Sequence, residues 1–326
     1  MKSLVIIAVS AALAAAIPFF GSEYALSFTI QLFVFVALAY SWNLIGGYAG
    51  YTHFGQVAFF GVGAYTGSLL MNADVHWLAA AAVAGLSGAL LALPLGGAML
   101  RVKGPFFAIG MFGIARVCES FALGFDGITQ GGTGLYLTPM TDLKPLYFVL
   151  WAIAFGMVLM TWRLDNSRLG IQLLAIREDE TAADALGIRT TRLKIGTFVV
   201  SAIGPAVVGS LYATYLSFID PATAFAPMTE LTTIAMVLLG GMGTTFGPLV
   251  GAVVMSVVNE LLWSRFPEVY LALVGVVILG VVLYMPRGIV SFAMRRDWWW
   301  VPAARGSLRR LASRPSPSRT APKEAH

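Results

Sequence analysis

Few residues in this sequence could perform covalent or metal chemistry, and those that could are scattered. The single cysteine, Cys118, lies in an apolar stretch, where a lone cysteine is more often a small packing residue than a nucleophile. The three histidines show no metal-ligand spacing: His53, His76 and His326. No Gly-x-x-x-x-Gly-Lys-Ser/Thr motif is present, so the chain lacks the phosphate-binding loop of an ATPase. We therefore expect neither an enzyme nor a metal-binding protein.

One pair of opposite charges lies within an apolar segment. Arg116 and Glu119 are three residues apart, which places them on one face of a helix and allows them to neutralise each other. Such a pair either positions neighbouring helices or marks a transport path. Ionisable residues are otherwise sparse in the apolar segments, and this argues against a carrier coupled to protons or sodium ions.

An acidic run followed by small apolar residues predicts a surface helix from Arg177 to Leu186. Acidic residues suit the beginning of a helix because the helix dipole is positive there, and Gly187 can end the helix. A shallow apolar stripe on such a helix fits a partner's groove, and the alternative is a solvated linker helix. The residues concerned are Glu178, Asp179, Glu180, Thr181, Ala182, Ala183, Leu186 and Gly187.

Two glycine-rich turns occupy matching places in the two halves of the chain. Residues 46–55 and 240–247 both contain Gly-Gly, a further Gly, and then Thr followed by Phe-Gly, and each adjoins a short apolar segment, 55–71 or 229–242. Short or glycine-interrupted segments at corresponding positions point to a transport path, although glycines in membrane helices are also common packing sites. The candidate path glycines are Gly46, Gly47, Gly50, Gly55, Gly240, Gly241, Gly243 and Gly247.

The elements that must position these residues are membrane helices. Of 326 residues, 58% are hydrophobic and only 11% are charged, whereas soluble domains carry about 25% charged residues. Apolar runs recur along the chain at lengths that suit a bilayer, without the alternation of a β-barrel. We predict an all-α integral membrane bundle of about ten helices in two related halves, two of them short and bracketed by glycine. The segments are 4–20, 26–45, 55–71, 77–100, 105–124, 146–162, 194–217, 229–242, 247–262 and 269–286.

Basic residues indicate how these segments are oriented. With the N-terminus inside, 18 of the 21 lysines and arginines fall on the cytoplasmic side, in agreement with the positive-inside rule. This predicts a transmembrane domain over 1–290, a cytoplasmic loop over 163–194 and both termini in the cytoplasm. Residues 291–326 are basic and rich in Pro and Ser, which predicts a disordered tail that contacts lipid headgroups rather than nucleic acid. The first segment also fits a cleaved signal peptide.

Several motifs resemble one family of transport proteins. Residues 181–187, Thr-Ala-Ala-Asp-Ala-Leu-Gly, resemble the Glu-Ala-Ala-x-x-x-Gly coupling loop of ABC importer permeases. The stretches 43–50, 55–66, 177–188 and 237–248 are similar to branched-chain amino acid permeases of the LivM type, and they keep their order along the chain. Two departures stand out. Thr181 replaces the Glu of the coupling motif, with Glu180 one place earlier, and Lys103-Gly104-Pro105 begins the fifth segment in place of the family's polar pattern.

The resemblance implies a pore-forming permease subunit of an ABC importer for branched-chain amino acids in the bacterial inner membrane. It implies a second permease as partner in a heterodimer, two cytoplasmic ATPase subunits at the coupling loop, and an external substrate-binding protein. ATP and magnesium would be used by the ATPase subunits, and this chain would bind no cofactor. The family is also similar to importers of urea, amides and small organic or aromatic acids, so these ligands stay open. A self-sufficient secondary carrier or channel is the alternative from another class.

Overall fold

The fold is an all-helical bundle with one very short strand pair. A computed structural model describes residues 2–102, 104–266, 268–284 and 288–290. Lys103, His326 and the predicted tail over 291–326 lie outside the described residues. The α-helices and strands are α1 (Lys2–Phe20), α2 (Glu23–Trp42), α3 (Gln56–Asn72), α4 (Trp77–Met99), α5 (Pro105–Gly124), α6 (Asp126–Thr129), β1 (Leu135–Tyr136), α7 (Lys144–Asp165), α8 (Arg168–Glu178), α9 (Glu180–Ala185), α10 (Thr190–Leu216), β2 (Phe218–Ile219), α11 (Pro221–Ala224), α12 (Pro227–Gly240), α13 (Gly247–Arg265) and α14 (Tyr270–Tyr284). A π-helical turn, Asn43–Tyr48, continues α2 into the first glycine-rich turn, and a 3₁₀ turn, Gly131–Thr133, follows α6.

Each predicted apolar segment coincides with a helix of the described chain. Seven described segments are long and apolar enough to cross a bilayer: Glu23–Tyr48, Trp77–Met99, Pro105–Gly124, Lys144–Asp165, Thr190–Leu216, Pro221–Gly240 and Gly247–Arg265. Helix α3 has 17 residues and α12 has 14, so both are short, and the apolar parts of α1 and α14 are shorter than a full span. The chain is therefore an all-α, multi-pass membrane protein. The count of ten crossings and the relation between the halves stay predictions.

Helix α10 lies at the centre of the bundle and packs against α3 and α4. Small residues allow the close approach. A Cβ atom on Gly63 would lie 2.0 Å from the carbonyl oxygen of Ala206, and one on Gly67 would lie 1.9 Å from the hydroxyl oxygen of Ser210. In a membrane, where lipid is as apolar as the core, such backbone-to-backbone packing is a main source of helix association. The glycine spacing of α3 thus fixes its position on α10.

The outer helices expose large apolar side chains. Leu13 of α1, Leu90 of α4 and Leu271 of α14 are each more than 60% exposed. A contiguous apolar surface of this kind is foreign to a soluble monomer and is what lipid tails solvate. The apolar surface therefore lies on the outside of the bundle, with α2 and α10 most enclosed.

The turns of the described chain gather at two ends of the bundle. The "loop end" contains the 163–194 loop, the two glycine-rich turns and the C-terminal end of α4. The "far end" contains the antiparallel pair β1–β2, in which Leu135 faces Ile219, and a hydrogen bond of 2.5 Å from Tyr24 to Glu260. The distribution of basic residues in the sequence predicts the same division, with the turns of the loop end on one side of the membrane and those of the far end on the other.

Candidate functional site

The two glycine-rich turns contact each other at the loop end. The Asn43 side-chain oxygen accepts the Gly243 N–H at 2.8 Å, and a Cβ on Gly47 would lie 2.6 Å from that same nitrogen. Gly50, Gly241 and Gly243 have positive φ values of 78°, 122° and 67°, which other residues rarely adopt. Glycine is thus required here both by backbone conformation and by the contact between the turns.

The other candidate path glycines also lie in close packing. An added Cβ on Gly46 would meet the Trp42 ring, one on Gly55 the carbonyl oxygen of Met111, and one on Gly240 the carbonyl oxygen of Gly247. An added Cβ on Gly247 would lie 2.1 Å from the carbonyl oxygen of Gly241. A transport path along these turns stays a prediction.

The first turn contains a buried histidine. His53 stacks on Trp42, with a centroid distance of 6.1 Å and an interplanar angle of 17°, and it packs edge-on against Phe198. Burial lowers the pKa of His53 from 6.5 to about 3, so the imidazole is neutral at physiological pH. No cluster of three or more His, Cys, Asp or Glu residues that could hold a metal ion occurs in the described part of the chain.

The single helix predicted from Arg177 to Leu186 is wrong. Helix α8 ends at Glu178, and Asp179 adopts an extended conformation with φ −156°. Its carboxylate accepts the N–H groups of Thr181 and Ala182 at 2.8 and 3.0 Å. An aspartate in this position caps a new helix instead of continuing the old one, because its side chain satisfies the first unpaired backbone donors.

Helix α9 is therefore a separate, capped helix of six residues. Its predicted apolar stripe is divided between buried and exposed side chains. Ala183 is buried, whereas Ala182 is exposed and Leu186 is 81% exposed. Gly187 follows the helix with φ 81°, and the N–H of Ile188 returns to the carbonyl of Ala183 at 3.1 Å. This is the backbone arrangement in which a glycine ends a helix. The exposed residues of α9 are Thr181, Ala182, Asp184 and Ala185, followed by the exposed Leu186, so only two of the three apolar residues of the predicted stripe face outward.

Glu180 faces inward, and its contact with a partner subunit stays a prediction. Its carboxylate pairs with Lys194 of α10 and accepts the Tyr51 hydroxyl at 2.8 Å. Lys194 is only 3% exposed and also donates to the Tyr51 oxygen at 2.9 Å and to the carbonyl of Leu100 at 3.3 Å. This "lysine network" joins α9, the first glycine-rich turn, α10 and the end of α4.

Two further contacts tie the loop to the turns. Arg177, the penultimate residue of α8, donates to the carbonyl of Gly47 at 2.8 Å, and an added Cβ on Gly243 would lie 2.9 Å from the same guanidinium. Asp165, at the end of α7, accepts the Thr245 hydroxyl at 2.8 Å. The loop is thus bonded directly to both turns.

The charged pair on α5 lies apart from this site. Arg116 and Glu119 form an ion pair, and Arg116 also donates to the carbonyl of Phe225 just after α11. Helix α5 packs through one stripe, Phe107, Met111, Ala115 and Ala122, and much of its remaining surface is exposed. The pair positions the segment after α11 against this loosely packed helix.

Glu230 was missed by the sequence reasoning. It lies in the first turns of α12, is 3% exposed, and accepts the Val57 N–H at 2.8 Å, so it caps the N-terminus of α3 from another helix. A void of about 10 Å³ lies beside it. A carboxylate within an apolar segment was the available signal, because such residues are rare and have partners. The intramembrane charge is therefore less sparse than predicted.

Comparison with known proteins gives the family of the chain. The profile of the family described as "Branched-chain amino acid transport system / permease component" matches residues 24–282. The chain belongs to this family of permeases.

Relatives extend this finding. The chain is 27% identical to the high-affinity branched-chain amino acid transport system permease protein LivM of Salmonella typhimurium, over 85% of this chain and 72% of the relative. It is 25% identical to LivH of the same organism, over 83% and 97%. It is 26% identical to the autoinducer 2 import system permease protein LsrC of Yersinia pseudotuberculosis, over 58% and 55%. No solved structure gives a significant match.

Proposed function

We propose that the chain is the pore-forming permease subunit of an ABC importer in a bacterial inner membrane, and that the 163–194 loop receives the force of ATP hydrolysis. The observation that supports this most strongly is the set of bonds from that loop to both glycine-rich turns, above all from Arg177 to Gly47. A loop that served only as a linker would not need direct bonds to both of these turns.

The mechanism begins at the exposed face of α9. An ATPase subunit binds Thr181, Ala182 and Leu186, and its movement on binding and hydrolysing ATP displaces α9. The lysine network carries the displacement to α10 and to the first turn, and Arg177 carries it to Gly47. The turns then change their mutual contact, which opens the path on one side of the membrane and closes it on the other.

The importer requires other subunits. Similarity to both LivM and LivH supports a heterodimer with a second permease. Two cytoplasmic ATPases use ATP and magnesium, and an external binding protein delivers the ligand. The chain itself contributes no nucleotide-binding loop.

The test of the coupling surface is a tryptophan at Ala182. The substitution enlarges an exposed side chain, so the permease folds and inserts, while the ATPase subunits are displaced. The matched control is Ala222→Trp, an exposed alanine at the far end. Co-purification of the ATPase subunits and ligand-stimulated ATP hydrolysis are measured in membranes. Wild-type values for the Ala182 variant would overturn the assignment.

We propose branched-chain amino acids as the ligands, because the family and the LivM and LivH relatives are described by them. The similarity to LsrC, named for autoinducer 2, keeps other small polar molecules as candidates, including urea, amides and organic acids. Transport of radiolabelled leucine by the assembled importer, in competition with urea and aromatic acids, decides between them.

A second candidate class has one observation in its favour. Glu230 is a buried carboxylate in a membrane helix, as found in proton-coupled carriers. The purified chain alone, reconstituted in vesicles, would then take up ligand when a proton gradient is imposed. Uptake that needs ATP and the other subunits contradicts this class.

A further inference from the structure

An apolar groove at the loop end opens between α7, α8 and α10. It has a volume of about 490 Å³. Apolar side chains line most of it, including the buried Leu44, Met160, and the exposed Val200 on α10. Gly196 lies in its wall with open space where a Cβ would project. The groove is therefore unfilled by the protein along one face of α10.

The polar groups inside the groove are already satisfied by the chain. The Ser167 hydroxyl donates to the carbonyl of Leu164 at 2.8 Å and accepts the Gly170 N–H. The Thr197 hydroxyl donates to the carbonyl of Leu193 at 2.8 Å. An occupant thus meets a surface without available hydrogen-bonding groups below the mouth, which selects an apolar chain rather than a polar solute.

Two arginines stand at the mouth of this groove. Arg163 ends the apolar part of α7, and Arg192 lies in the first turn of α10. Both side chains are exposed, and neither has an ion-pair partner within the described ranges of the chain. Two guanidinium groups at one opening are complementary to a phosphate group, which they bind through several charge-assisted hydrogen bonds.

The depth of the groove matches a lipid leaflet. From Arg192 to Val200 the helix rises about 12 Å, from the end of the span into its apolar part. Leu169 in the first turn of α8 is 52% exposed beside the mouth, as expected for a residue at the boundary between headgroups and acyl chains. The cationic groups at the mouth are complementary to the phosphate of an anionic phospholipid, and the apolar lining below them is complementary to its acyl chain.

We propose that this groove binds one anionic phospholipid, with its phosphate between Arg163 and Arg192 and an acyl chain along Gly196 and Val200. The site requires only that the chain spans a membrane, so it is independent of the transport mechanism. Pockets of basic residues between membrane helices are a general form of lipid-headgroup recognition.

Native mass spectrometry of the full chain in delipidated detergent tests the site. Phosphatidylglycerol should bind about tenfold more tightly than phosphatidylcholine. The double variant Arg163→Gln/Arg192→Gln should weaken phosphatidylglycerol binding by about tenfold to thirtyfold. Its matched control is Arg168→Gln/Arg189→Gln, which removes two exposed loop arginines that do not line the groove. The control should change the affinity by less than about threefold.

A second pair of variants tests the acyl-chain portion without altering charge. Gly196→Leu should fill the groove and weaken binding, whereas Gly156→Leu, at an open position on α7 outside the groove, should not. Equal losses in the two arginine double variants would mean general surface attraction and would overturn the proposal. So would competition by soluble glycerol phosphate as effective as that by the lipid, or a groove that binds an ATPase subunit in place of lipid.

Discussion

The two glycine-rich turns have similar sequences but different anchors. The first turn, 46–55, is held by charged groups of the loop, because Arg177 bonds to Gly47 and Tyr51 lies between Glu180 and Lys194. The second turn, 240–247, is held mainly by Tyr40 of α2, by Asn43 just after α2, and by Asp165, the loop residue that ends α7. Its bonds are those of Asn43 to Gly243, Tyr40 to Thr245 and Thr245 to Asp165.

This difference assigns the turns different places in one chain of contacts. Under the proposed function, a movement of α8 or α9 would act on the first turn directly. It would reach the second turn through Gly47, through the Arg177 guanidinium beside Gly243, or through α7. Resemblance between two stretches of sequence therefore does not give them the same neighbours.

The largest effect is expected where the turns touch. In Gly47→Ala the new Cβ would lie 2.0 Å from the Asn43 side-chain oxygen and 2.6 Å from the Gly243 nitrogen. Overpacking of this kind lowers the free energy of unfolding by roughly 3 kcal/mol, measured by thermal unfolding in detergent. The control Gly97→Ala has nothing within 4 Å and should be neutral or slightly stabilising. Equal melting temperatures of the two variants would contradict close packing between the two turns at Gly47.

The second-largest effect is expected to differ between the two turns. Lys194→Met removes the buried ammonium group that pairs with the Glu180 carboxylate. It should destabilise the protein by about 2–3 kcal/mol, less than the loss of a fully buried pair, because Glu180 is partly exposed. Hydrogen exchange should accelerate in residues 46–55 more than in 240–247. The double variant with Glu180→Met should recover part of the loss. Equal acceleration in both turns would show that their anchors are equivalent.

The sequence predicts the helices of this molecule far better than it predicts their contacts. Apolar runs located the helices because lipid permits no other backbone solution. The glycine turns were recognisable because glycine alone tolerates their conformations. The break at Asp179 was missed, although an aspartate before Glu-Thr-Ala-Ala is itself a capping signal.

The lysine network could not be derived from the sequence, because its members are far apart along the chain. Tyr51 and Lys194 are separated by 143 positions. Lys194 looked like one more basic loop residue, and only the packing of α10 against α4 and the first turn buries it. The inward direction of Glu180 has the same cause. The residue types at a helix end show which side chains are charged. Tertiary contacts decide whether each of these side chains faces the protein or the solvent.

Acid should act on the first turn through His53. Its pKa falls from 6.5 in the unfolded chain to about 3 on burial, so below pH 6.5 the unfolded chain binds a proton that the folded chain does not. Stability is therefore lost as the pH falls from 6.5 towards 3, by about 2 kcal/mol at about pH 5. His53→Leu should remove this part of the pH dependence. A variant that loses as much stability in acid as the wild type would exclude His53 as the cause.

The smallest effects are expected from two isosteric substitutions, one at an anchor of each turn. Tyr51→Phe removes a donor to Glu180 and an acceptor for Lys194, whereas Thr245→Val removes one donor to Asp165. Because bonds to charged groups are the stronger ones, we expect losses of about 2 kcal/mol for Tyr51→Phe and about 1 kcal/mol for Thr245→Val in thermal unfolding. In the assembled importer, only Tyr51→Phe should lower ligand uptake per ATP hydrolysed, because it lies between the loop and the first turn. A larger loss of coupling in Thr245→Val would contradict this expectation. It would mean that the loop acts first on the second turn, through α7 rather than through α9.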